Sequence, residues 1–278
     1  MLREIVLGSL IAFAPAGNPD PKFFANEDFQ VRFPAATILH VGAFDFLKDS
    51  VTRTLSDAEK LVNLIRNDSS LSASVKNFPK LSPAERIEVM RKVFALEVRA
   101  SGLQAPELLL DSTARKMTFF DFDPKTPGTG KVILNPERLF ADENHYAALL
   151  FLIHETRHSF QFQVGFSSVL GAPESQRDAF HSGFLAQKAV FDEGLRVSFC
   201  DFLTLNQEYE AFLFGNYVME ELTDGAVDTS DMGTLASQYL PGTGFRLDLL
   251  KLRQEAGPDA FLGAFNEAEM IQYREMHP

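Results

Sequence analysis

The sequence predicts an α+β fold that is predominantly helical, with one small antiparallel hairpin packed beside a buried central helix. Three observations carry that expectation. Helix-start signals precede apolar residues at helical spacing, two short β-type segments flank a Pro- and Gly-containing turn, and the run Leu149-Leu150-Phe151-Leu152-Ile153 is apolar enough to lie inside a core. The chain has 278 residues, 45% of them hydrophobic, and is long enough to bury a substantial core. It reads as a mostly helical N-terminal region, residues 1–105, followed by a region 106–278 that holds the hairpin, the central helix and further helices. The two are compatible with one compact domain.

The first sixteen residues combine Arg3, an apolar run over 5–13 and the small residues Ala14-Pro15-Ala16, the order of a short secretion signal. Glu4 offsets the positive start, so a first helix or strand on the core is the alternative, and cytoplasmic and exported locations both stay open. Residues 15–34, rich in Pro, Asn and Asp, read as loop. Ser56-Asp57-Ala58-Glu59 reads as a helix start, with Leu61, Leu64 and Ile65 as its apolar stripe. Ser82-Pro83-Ala84-Glu85 is the clearer start. It places a cap, a proline at the first helical position and a capping-box acid ahead of Ile87, Val93, Phe94 and Val98.

Met117-Thr118-Phe119-Phe120-Asp121-Phe122 and Lys131-Val132-Ile133-Leu134 are the strand candidates, and Pro124-Lys125-Thr126-Pro127-Gly128-Thr129-Gly130 between them reads as the turn of a hairpin. The apolar run 149–153 then opens the central helix. Residues 164–183 are polar and contain glycine, which suits a loop forming a lid or cleft wall, and 184–202 carry the spacing of one further helix. Leu205-Asn206-Gln207-Glu208-Tyr209-Glu210-Ala211-Phe212-Leu213-Phe214 has the pattern of an amphipathic helix with two acids.

Composition narrows the partners. A net charge of −12, with no stripe of Lys and Arg, argues against a nucleic-acid backbone. The single cysteine, Cys200, rules out an internal disulfide and suits a small buried apolar position. Beyond the short N-terminal run, no stretch approaches the roughly 20 apolar residues of a membrane span, so a soluble protein is expected.

Function is concentrated in His154-Glu155-Thr156-Arg157-His158, an HExxH pentad that directly follows the apolar run. On a helix, histidines four residues apart lie about 40° from each other around the axis and about 6 Å apart along it, so both imidazoles can reach one metal ion. Glu155 projects beside them, where a carboxylate can take a proton from a zinc-bound water. A core helix would otherwise exclude two histidines and a glutamate, because an unpaired buried charge is costly. An open tetrahedral zinc site needs a third protein ligand, and Glu208 and Glu210 are the candidates. They face about 200° apart on a helix, so only one can point at the metal.

A pentad of this form followed by a glutamate on a later helix resembles the gluzincins, a group of zinc metallopeptidases. Lys131-Val132-Ile133-Leu134-Asn135-Pro136-Glu137-Arg138-Leu139 looks like the strand and turn before the active-site helix of the small members called minigluzincins. Glu208-Tyr209-Glu210-Ala211 is similar to the E-x-x-A element that supplies the third ligand. The likeness covers roughly residues 115–220. It implies a zincin-like catalytic region over 106–278, Zn²⁺ held by His154, His158 and Glu208 with Glu210 in reserve, and a peptide or protein substrate.

Families of this kind often place an aspartate four residues after the ligand glutamate to hold a histidine. This chain has Phe212 after Glu208 and Phe214 after Glu210. A backbone carbonyl or another acid is therefore expected to orient the imidazoles. Zinc peptidases of this type also hold substrate by main-chain pairing to an edge strand, a role open to the hairpin beside its supporting one.

The expected reaction is hydrolysis of a peptide bond by the zinc-bound water. Glu155 takes the proton and delivers it to the leaving amine. His181, Tyr209 and Tyr217 are candidates for a further donor to the carbonyl oxygen, and Gln161 lies on the histidine face. Two alternatives stand beside this reading. One is a non-catalytic zinc-binding sensor or interaction protein; the other is a metal-free helical scaffold in which the histidines bond to acids.

Overall fold

The computed structural model describes residues 41–167, 171–193, 205–227, 239–240 and 244–245. The signal-like segment 1–16, the expected loop 15–34 and Cys200 lie outside them. The described residues are mostly helical with a small sheet, an α+β arrangement.

Helix α1 (Val41–Asn67) runs unbroken through the position read as a helix start. Val51, Leu55, Ala58, Leu61, Val62 and Ile65 are buried at three- and four-residue spacings, so the apolar stripe continues across Ser56. Asp57 does not cap a helix end. Its carboxylate pairs with Lys60 at 2.8 Å and faces Arg157 at 3.3 Å. Val62 takes the core place expected of Leu64, which is half-buried.

Helix α2 (Ser69–Lys76) is capped by Asp68, whose side chain accepts from the Leu71 amide. A 3-10 turn at Phe78–Lys80 leads into α3 (Pro83–Ser101). Here the expected capping box is present: Ser82 Oγ accepts from the Glu85 amide, and the Ser82 amide donates to Glu85 Oε2 at 2.8 Å. Gly102 ends the helix at φ 66°, in the left-handed region that favours glycine. The buried face of α3 is Val89, Met90, Val93 and Glu97, while Ile87, Phe94 and Val98 are half-buried.

Strands β1 (Glu107–Leu110), β2 (Thr118–Asp121) and β3 (Lys131–Leu134) form one sheet in the order β1-β3-β2. The expected hairpin is there, β2 running antiparallel to β3 with Thr118 opposite Leu134 and Asp121 opposite Lys131. The sheet is nevertheless mixed, because β1 lies parallel to β3 with Glu107 opposite Lys131. Strand β3 is central, with Val132 and Leu134 fully buried, and β2 is an edge. Gly130, at φ 69°, closes the turn into β3; a Cβ there would run into the Phe120 ring.

Asn135 then caps α4 (Pro136–Phe140) by accepting from the Arg138 backbone amide at Oδ1, and its side-chain Nδ2 donates to the carbonyls of Ser112 and Ala114. Helix α5 (Ala147–Phe166) carries the pentad. All its residues are buried except Phe151, Phe160, Gly165 and Phe166, and it packs on α3, α4, β2 and β3. This is the core helix the apolar run predicts.

Helix α6 (Glu174–Glu193) corrects the loop expected over 164–183. Helix α5 extends to Phe166 and α6 begins at Glu174, so only a short connection separates them. Helix α7 (Glu210–Thr223) is entered through a π-helical turn, Leu205–Tyr209, where a regular helix was expected. A two-stranded ribbon pairs β4 (Tyr239–Leu240) with β5 (Gly244–Phe245).

The chain divides into two compact units. One comprises Arg53–Ala172 and Ala211–Thr229, with α5 at its centre. The other comprises Met1–Thr52, Pro173–Glu210 and Ser230–Pro278, and within it α6 packs beside the π turn. Gly183 permits that packing. A Cβ on it would lie 2.8 Å from the side-chain amide of Gln207, the residue before Glu208.

Candidate metal centre

Helix α5 brings the pentad together in a closed environment: His154, Glu155 and His158 are 4%, 6% and 6% exposed. Polar groups this deep need partners, and each has one built around it. The two imidazoles face each other, with Nε2 of His158 3.0 Å from Nε2 of His154. On the far side of its ring, His158 Nδ1–H donates to Oε1 of Gln161, one helical turn on, at 2.9 Å. Glu155 Oε1 accepts from Thr118 Oγ1 on β2 at 2.8 Å.

Aromatic rings fix the orientation of the histidines. The Phe212 ring lies 4.0 Å from that of His154, centroid to centroid, and Phe151 meets His154 edge-on at 6.4 Å. On the sheet side Phe120 approaches His158 at 6.3 Å, stacks with Phe122 and meets Phe162 edge to face. Phe212 presents its ring to His154. The orienting group found for His158 is an amide side chain, Gln161, in place of the expected backbone carbonyl or acid.

The remaining pentad residues anchor the helix. Thr156 Oγ1 donates back to the Leu152 carbonyl. Arg157, 1% exposed, lies over the rings of Phe160 and Phe214 at 3.9 and 4.5 Å, with Asp57 at 3.3 Å from Nη2. Gly215 of α7 lies close enough to α5 that a Cβ on it would be 3.3 Å from Leu150.

His154, His158 and Glu208 form a group that could hold a metal ion, one ligand atom of each lying within 4.8 Å of the others. Among the described residues it is the one such group of three or more His, Cys, Asp and Glu side chains. Glu208 sits in the π turn, half-buried; Glu210, which opens α7, is buried and is not part of the group. The donor set fits a borderline-soft divalent cation: two imidazole nitrogens and one carboxylate leave a fourth position open. Two ring nitrogens 3.0 Å apart can share a proton or turn their lone pairs to one cation.

The other candidates fall elsewhere. His181 lies on helix α6 instead of a loop and is half-buried, and Tyr209 is buried in the π turn. The Tyr217 hydroxyl faces α1, where it reaches Glu59 Oε1 at 3.4 Å; burial first, and then the charge of Glu59, push its pKa up. Tyr217 is thus engaged with α1. Sequence reasoning passed over Thr118. It lies in the predicted strand, two residues from Phe120 and on the same face, but nothing in the strand pattern aims a threonine at Glu155. No helix of the described residues is long and apolar enough to cross a membrane. Comparison of the chain with protein-family models, with curated proteins and with solved structures gives no match.

Proposed function

We propose that the chain is a zinc-dependent hydrolase, a metallopeptidase with a zincin-like catalytic region, in which His154, His158 and Glu208 hold the ion and Glu155 is the general base. The observation that carries this reading is the placement of the Glu155 carboxylate, held by Thr118, next in sequence to one of two histidines whose Nε2 atoms converge. A scaffold helix has no use for an acid there. A zinc ion so held would supply a Lewis acid that polarises a carbonyl and acidifies water toward neutrality.

The rest is done by the chain. Glu155 takes a proton from water as the water oxygen bonds to the peptide carbonyl carbon. It returns that proton to the nitrogen as the C–N bond breaks, leaving a carboxylic acid and an amine. Thr118 holds Oε1 and so fixes the plane of the carboxylate through both transfers. Edge strand β2, which carries Thr118, suits an extended peptide added by main-chain pairing.

Metal analysis of variants tests the ligand set. Zinc content should fall to background for His158→Ala and Glu208→Ala and persist in Glu210→Ala; zinc lost only from Glu210→Ala would move the third ligand to that residue. Cleavage of a broad peptide library separates the peptidase from a zinc-binding sensor, which would hold the ion and cleave nothing.

A further inference from the structure

We infer that Gln161 is the positioning residue that readies His158 for a metal, by deciding which nitrogen of the imidazole carries the proton. The inference rests on the reading of His154, His158 and Glu208 as metal ligands. A neutral imidazole has one N–H, and the hydrogen bond at one nitrogen determines what the other can do. Oε1 of Gln161 has lone pairs only, so at 2.9 Å from Nδ1 it can only accept. The proton then sits on Nδ1, and Nε2 is left with a lone pair directed toward Nε2 of His154.

The amide turned the other way would have the opposite effect. Its N–H would donate to Nδ1, the ring proton would move to Nε2, and His158 would donate to His154. A His158 ring protonated at Nε2 has no lone pair there for a cation. Gln161 therefore decides whether His158 Nε2 offers a lone pair or a proton; with the lone pair there, the N–H between the two rings belongs to His154 until a cation displaces it. Gln161 is well placed to decide this, being fully buried and three residues after His158 on the same helix, so water does not compete for the bond.

A neutral amide also differs chemically from the acid often found in this role. With Glu155 and Glu208 already present, a divalent cation brings the centre to zero net charge. A carboxylate at position 161 would make it negative and draw the cation in more strongly, whereas Gln161 orients the ring without adding charge.

The test reads the proton directly. In ¹⁵N-labelled, chelator-stripped full-length protein, the imidazole nitrogen shifts of His158, assigned by their loss in His158→Ala, should show Nδ1 protonated and Nε2 bare. A proton on Nε2 overturns the inference. Zinc affinity, measured by titrating zinc chloride against a chromophoric chelator, should fall roughly 10- to 100-fold in Gln161→Met, which keeps the shape and lacks the acceptor. It should be at least parental in Gln161→Glu, which keeps the acceptor. Parental affinity in Gln161→Met overturns the inference, and should that variant not fold, the parent's tautomer decides alone. A parent chain that takes up no zinc sinks the metal-ligand reading itself and this inference with it; a zinc-binding parent with the wrong tautomer sinks this inference alone.

Discussion

Thr118 on strand β2 donates from Oγ1 to Oε1 of Glu155 on helix α5 at 2.8 Å, which ties an edge strand of the sheet to the carboxylate inside the pentad. A hydrogen bond to an ionised group contributes about 1.5–3 kcal/mol. Thr118→Val keeps the β-branched shape and removes the donor. It should lower kcat on a cleaved peptide by roughly tenfold or more, with KM and zinc content near parental, while Thr118→Ser retains most of the rate. Steady-state kinetics beside metal analysis checks this; equal loss of zinc and rate would make Thr118 merely structural.

The Phe212 ring packs against the His154 imidazole, so packing helps to hold that ring. Phe212→Ala removes a buried aromatic, a change that typically costs about 3–5 kcal/mol, and lets the imidazole swing. Denaturant unfolding should show the stability loss, and chelator competition should show weakened zinc binding at temperatures where the variant is folded. Phe212→Leu should recover much of both.

Arg157 is enclosed by two rings and an acid. A lysine there keeps the charge but loses the planar stack, so Arg157→Lys should destabilise the fold by roughly 1–3 kcal/mol. Urea unfolding measures it. A variant as stable as the parent would mean that the stacking contributes little.

These relationships differ in how far the sequence announces them. The Ser82–Glu85 box and the β2–β3 hairpin are local, built from residues a few positions apart, and both are legible in the chain. Strand β1 is not, because Glu107-Leu108-Leu109-Leu110 has no alternation and pairs in parallel with residues more than twenty positions away. Asp57 misleads for a related reason. It looks like part of a helix start, yet its partner is Arg157, a hundred residues on. The loop expected over 164–183 was read from polarity, but a half-exposed helix such as α6 is polar on one face too. At the candidate site the pentad is legible from spacing, and Glu208 only through resemblance. Thr118 and Phe212 owe their roles to tertiary packing that no spacing encodes.

The α3 cap predicts a pH effect of definite sign. Hydrogen bonds from the Ser82 hydroxyl and then its amide hold the Glu85 carboxyl below the usual glutamate range. A lowered folded pKa stabilises above the unfolded pKa and is lost as pH falls through the folded one. Thermal melts should show this contribution intact at neutral pH and fading below about pH 4. Ser82→Ala should lower Tm at pH 7 by about 2–4 °C and flatten that acid dependence.

Zinc content and peptide hydrolysis measured together on the parent chain and on Glu155→Gln test the central claim most directly. The account predicts zinc bound by both proteins, cleavage by the parent, and a rate lower by roughly 10²–10⁴ in the variant. A parent that binds no zinc, or a Glu155→Gln variant that cleaves at the parental rate, would contradict it.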